Sequence, residues 1–220
     1  MEQRLAHGTS LASIVVVAVA GVTGYLIDGA VDWPVAGLLF VGSGSGALLG
    51  TFLLQRVSRG ALRLAFAALL IATAARLFLD LPAPVVRAPI EALTAVSLIG
   101  VGLVSGFMAG WFGVGGGVIT VPALVLLFSI PDVVAKGTSL AVIIPTAVVG
   151  TVSNLARGNA DLRVGATLGV AGALSAFFGA RLSLTLQPDL SSFLFALLLL
   201  AVAARMLLTS DKGRPPTGAH

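Results

Sequence analysis

The chain reads as a series of long apolar runs separated by short polar interruptions. Seven runs stand out, at about 9–27, 34–54, 61–79, 92–130, 137–155, 164–184 and 190–208. Most approach the roughly 20 residues that a helix needs to cross about 30 Å of hydrocarbon. Within them the apolar residues go all the way round, with frequent Gly and Ala. That pattern predicts helices in lipid, because a closed barrel would alternate with period two.

The run 92–130 is too long for one span and too short for two spans with an ordinary loop. At its centre lies Gly110-Trp111-Phe112-Gly113-Val114-Gly115-Gly116-Gly117, with Pro122 following. Each glycine inside a helix costs about 1 kcal/mol relative to Ala. Two helical pieces joined by irregular backbone at membrane depth are therefore expected, giving eight in all. Such backbone is tolerated only where it is buried in protein or lines a polar cavity.

Composition agrees with the pattern. Apolar residues make up 57% and charged residues 10%, against roughly 45–50% and 25% in soluble domains. The fold class expected is all-α, a polytopic transmembrane helical bundle in the lipid bilayer built from two homologous repeats, inverted on the distribution of basic residues, with a homo-oligomer compatible with it. The net charge of +4 comes from basic residues scattered singly between apolar runs, which argues against a nucleic-acid partner. No cleavable signal peptide is visible. Cysteine is absent, and His7 and His220 lie near opposite ends. No disulfide, metal centre or cofactor is expected, and the spans hold no nucleophile–base pair for an enzyme.

Shifted by 129 positions, the chain matches itself without a gap. Ala6 and Gly8-Thr9-Ser10-Leu11-Ala12 fall on Ala135 and Gly137-Thr138-Ser139-Leu140-Ala141. Gly21, Gly29 and Asp32 fall on Gly150, Gly158 and Asp161, and Ala74-Ala75-Arg76 on Ala203-Ala204-Arg205. Roughly a third of aligned positions are identical, including polar and glycine positions that chance does not supply. The expected organisation is repeat 1 over 1–80, a loop over 81–91, repeat 2 over 92–209 and a disordered tail over 210–220. The glycine-rich hairpin precedes the second copy only. The first repeat is thus expected to lack an equivalent of roughly 40 residues, through a misassigned start, a gene remnant or a partner that supplies it.

The run Gly106-Phe107-Met108-Ala109-Gly110-Trp111-Phe112-Gly113-Val114-Gly115-Gly116-Gly117-Val118-Ile119-Thr120-Val121-Pro122 resembles the signature of the sulfite exporter TauE/SafE family. Ala135-Lys136-Gly137-Thr138-Ser139-Leu140 and the turn Gly158-Asn159-Ala160-Asp161 are similar to that family's pattern as well. The resemblance implies a multi-pass transporter of the inner cell membrane for small sulfur-containing anions such as sulfite or organosulfonates. A non-transporting membrane subunit or remnant is the alternative.

A small oxyanion in a membrane needs donors without heavily buried charge. Gly113, Gly115, Gly116 and Gly117, just before a helical piece starting near Val118, are candidates for an amide nest; close helix packing is their other explanation. Thr138 and Ser139 offer hydroxyls, or cap their helix. Thr9 and Ser10 are their counterparts and would face them across a pseudo-twofold axis. Asn154 would reach a substrate or satisfy a helix end. Pro145 predicts a kink in its helix. Arg76 and Arg205 are expected to snorkel towards the interface. No carboxylate is expected inside a span, which favours voltage-assisted movement of an anion over proton exchange.

Overall fold

In the computed structural model, which describes residues 3–53, 59–79, 91–112 and 116–208, the seven runs become eight helices. These are α1 (Gln3–Leu26), α2 (Trp33–Leu53), α3 (Arg59–Phe78), α4 (Ala92–Phe112), α5 (Gly117–Phe128), α6 (Asp132–Leu155), α7 (Leu162–Thr185) and α8 (Pro188–Leu208). Among the described residues, α1, α4, α6 and α7 each contain a window long and apolar enough to cross a bilayer. The chain is an all-α polytopic membrane bundle. Gly113 and Gly115, residues 80–90 of the inter-repeat loop and the tail lie outside the described residues.

The break in the long run lies where glycine density places it. α4 stops at Phe112, and α5 starts at Gly117 behind Gly116, whose φ is 73°. That left-handed conformation costs an L side chain 1–2 kcal/mol or so and glycine almost nothing. At its other end α5 closes on Ser129, also left-handed at φ 52°, whose N–H donates to the Leu124 carbonyl. Arg76 of α3 completes that end by donating to the carbonyls of Val125 and Leu126 and to Ser129 Oγ. Its guanidinium satisfies the last carbonyls of a short helix, where a cation also meets the negative end of the dipole.

α6 begins five residues before the apolar run does. Pro131 sets the turn and its carbonyl accepts from Ala135 N at 2.8 Å, while Asp132 occupies the first turn, where a carboxylate suits the helix dipole. The earlier start brings Lys136 inside the helix. α6 then runs through Pro145 as one continuous helix.

The helices α1 and α6 pack side by side in opposite directions. The start of α6 lies beside the end of α1, and the start of α1 beside the end of α6. Thr138 Oγ1 accepts from Asp32 N at 2.9 Å, and Thr9 Oγ1 accepts from Asp161 N at 3.0 Å. Each pair is the other moved by 129 positions. Gly137 lies against the Ala30 carbonyl and Gly8 against the Asn159 carbonyl, so close that a Cβ on either glycine would fall on the oxygen. Leu140 packs on Gly21, and Leu11 on Gly150.

Around this pair, α7 packs on α1, α2 on both α4 and α6, and α3 on α8. The α2–α4 contact is tight because Gly42 and Gly46 lie on the carbonyls of Ile99 and Leu103, and Gly102 and Gly106 on those of Leu39 and Ser43, the spacing that lets membrane helices approach backbone to backbone. The apolar core gathers Val35, Leu39, Leu98, Leu124 and Val142. By contrast α7 turns Leu168, Val170, Leu174 and Phe178 outwards, as a lipid-facing helix does.

Candidate functional site

The start of α5 points into the bundle against α6. Ile119 and Thr120 make the first helical bonds, both to the Gly116 carbonyl at 3.1 and 3.2 Å, and Thr120 Oγ1 bonds the same oxygen. The amides of Gly117 and Val118 precede those bonds and belong to the set that a helix cannot satisfy itself. Gly117 fits here because it has no side chain. A Cβ would press on Ile143 Cδ1 at 2.5 Å and stand 3.1 Å from Ser139 Oγ. The glycine therefore serves close packing of α5 on α6.

Ser139 is 1% exposed, and its hydroxyl has no hydrogen-bond partner among the described residues. Leaving a buried hydroxyl unpaired costs roughly 1–3 kcal/mol, so such a group calls for an explanation. Thr138, next to it, is fully buried but committed to Asp32 N. The two neighbours, alike in sequence, thus have different tasks: one ties α6 to the α1–α2 turn, and the other has its lone pairs and proton to spare.

Beside them lies a cavity of about 390 Å³, lined by Gly117, Ser139, Tyr25, Lys136 and otherwise by aliphatic residues and Phe195. An adjoining hollow of about 280 Å³ shares Tyr25, Lys136, Phe195 and Leu198 and reaches Ser183 and Ser191. Lys136 is the cation of both. Its ammonium donates to Asp132 Oδ2 at 2.7 Å and to Ser191 Oγ at 3.2 Å, and sits 4.6 Å from the Phe195 ring centre. Reading the spans for ionisable groups missed this pair, because the apolar run starts at Gly137. The i,i+4 spacing of Asp132 and Lys136 was the available signal.

Of the candidates named from sequence, the structure brings Gly117 and Ser139 together, with Thr138 next to Ser139 in the chain and Gly116 lying against Ser105 and Ala109 of α4. It does not bring Thr9, Ser10 and Asn154 to them. Asn154 lies 15 positions beyond Ser139 on α6, about 22 Å of helix. There its amide donates to the Gly150 carbonyl at 2.8 Å, one turn back, and its Cβ approaches Gly8. Thr9 and Ser10 stand at that same far end, Thr9 tied to Asp161. Opposite directions of α1 and α6 cause this separation: counterparts in the two copies land at opposite ends of the pair. Among the described residues no three His, Cys, Asp or Glu side chains cluster as metal ligands.

A bundle of long apolar helices, with exposed apolar flanks and a largely apolar cavity that a few polar side chains reach, defines a multi-pass membrane protein. Residues 98–220, just over half of the chain, match the family described as Sulfite exporter TauE/SafE. The chain belongs to that family. It is 29% identical over 174 residues to the probable membrane transporter protein YunE of Bacillus subtilis, covering 72% of this chain and 64% of that one. It is 36% identical over 103 residues to the probable membrane transporter protein YdhB of the same organism, 47% of this chain and 42% of the relative. A probable membrane transporter protein of Haemophilus influenzae is 34% identical over 124 residues, 53% of this chain and 47% of the relative. The chain thus spans between two fifths and two thirds of the length of these relatives. No solved structure matches it significantly.

Proposed function

We propose that this chain carries the anion site of an exporter of small sulfur-containing or organic anions, such as sulfite or sulfonates. One observation carries the reading: the buried, unpaired hydroxyl of Ser139 stands against Gly117 at the start of α5, beside a cavity. An oxyanion there receives the amides that open α5, the favourable end of its dipole, and the serine proton. Gly113 and Gly115 stay candidates for the same role on their place in the sequence, and Thr138 ties α6 to the turn before α2. Amide and hydroxyl donors of this kind hold a negative solute by hydrogen bonds and the helix dipole.

The two copies act as inverted repeats about the α1–α6 contact, in an inner membrane. The Arg157–Arg163 turn and the C-terminal end face the cytoplasm, in keeping with the excess of basic residues on that side. A reporter joined after Leu208 should read cytoplasmic; a periplasmic signal would reverse the orientation.

The activity is tested in vesicles reconstituted with the chain. Radiolabelled sulfite and methanesulfonate should move down their gradients at a rate that follows an imposed voltage, since about 2.3 kcal/mol per charge is available at 100 mV. Flux that tracks a pH gradient and ignores voltage would overturn this mode. Absence of flux for both anions would leave the non-transporting subunit as the better reading.

A further inference from the structure

We infer that Lys136 is the cation of the anion site, held by Asp132 while the site is empty. This deepens the reading above and rests on it. Lys136 stands one turn before Ser139 on α6, so both present the same face, and both line the cavity that Gly117 closes. Within that lining it is the one side chain with a full charge. Its side chain is 13% exposed and that of Asp132 is 9% exposed.

A buried ion pair is poor value as a structural tie. Taking both charges out of water costs several kcal/mol per ion, and apolar replacements are often as stable. In membrane helices such groups are rare and mark ligand or ion paths. The internal duplication supplies an independent control. The residues 129 positions before Asp132, Lys136 and Ser191 are Gln3, His7 and Leu62, whereas Phe195 has Phe66. The frame shared by the copies is therefore built without the pair, and Lys136 belongs to what distinguishes the second copy.

The groups facing the ammonium come from two helices: Asp132 on its own helix, and Ser191 and the Phe195 ring from α8. Ser191 is itself 3.1 Å from Ser183 of α7. Asp132 supplies one of these contacts, and an incoming oxyanion offers the same chemistry from the cavity side. Anion and Asp132 compete for one ammonium. Removing the competitor then strengthens binding, and removing the ammonium weakens it.

The experiment measures radiolabelled sulfite and methanesulfonate binding to the purified full chain in lipid nanodiscs. Lys136→Gln should weaken binding about 10–100-fold, the range of a hydrogen bond to a charged group. Asp132→Asn should tighten it several-fold. The double variant, which leaves no buried charge unpaired, should fold with an unchanged melting profile and still bind weakly. Opposite signs for the single variants are the signature of competition. A pair that merely ties α6 to α8 would move both variants the same way, and that result overturns the inference. Unchanged binding by Lys136→Gln overturns it too, while leaving the Ser139 site standing. No binding of either anion by the unaltered chain overturns the anion site and this inference together.

Discussion

The two ends of the α1–α6 pair are built from the same residues and do different things. At one end Thr138 receives the Asp32 amide and Gly137 lies on the Ala30 carbonyl; at the other Thr9 receives the Asp161 amide and Gly8 lies on the Asn159 carbonyl. Those features recur, so they belong to the frame. What differs between the two ends is the hydroxyl of Ser139, without a partner among the described residues while Ser10 has one, and the Lys136–Asp132 pair, where the other copy has His7 and Gln3. Duplication thus separates scaffold from chemistry within one chain. A motif present twice, such as Gly-Thr-Ser, is evidence about folding first, and only its setting makes one copy a site.

The sharpest way to break this comparison is at the glycines. Gly137→Val or Gly8→Val forces the helix off a carbonyl, and overpacking of this kind costs about 3 kcal/mol or more where backbone must shift. Both variants should lose monodisperse protein and melting temperature alike; a benign result at either glycine would contradict the close contact. Next comes Ser139→Ala, expected to lower sulfite binding about 10–100-fold with stability unchanged or slightly raised, since a buried unpaired hydroxyl is removed. Ser10→Ala at the equivalent position should leave binding as it was. Equal losses from the two serines would merge the ends that we separate.

Smaller effects sharpen the frame. Thr138→Val and Thr9→Val each strip an acceptor from a buried amide and should destabilise by about 1–2 kcal/mol, by similar amounts, as read from thermal unfolding in detergent. A large difference between them would mean that the two ties are unequal. The least effect belongs to Asn154→Ala, about 0.5–1 kcal/mol for a local side-chain bond, with sulfite binding unaltered. A binding defect there would return Asn154 to the site.

Much of this was legible in the chain. Every helix is announced by an apolar run, and the glycine cluster announces the break between α4 and α5 because few other arrangements tolerate such backbone in a membrane. The constant offset of 129 positions announced the repeats. Directions did not follow from that offset. Sequence alone set Thr9 and Ser10 opposite Thr138 and Ser139, whereas antiparallel packing carries them to the far end. Asp32 and Asp161, read as loop residues, accept from amides at the starts of α2 and α7, a capping role that their place before each run made visible. Lys136 was passed over because a hydropathy window cannot tell a charged residue beside a helix from one in its first turns. Nor does any sequence pattern report an unpaired hydroxyl, which depends on what the neighbouring helix leaves vacant.

The guanidinium of Arg76 reaches from α3 to the last carbonyls of α5, and α3 in turn packs along α8. A piston-like displacement of α5, carrying Gly117 towards or away from Ser139, would therefore drag α3 along or forfeit three charge-assisted bonds. Through Arg76 the short helix α5 is thus anchored to the α3–α8 pair as well as to α6, so its position is set from two sides of the bundle.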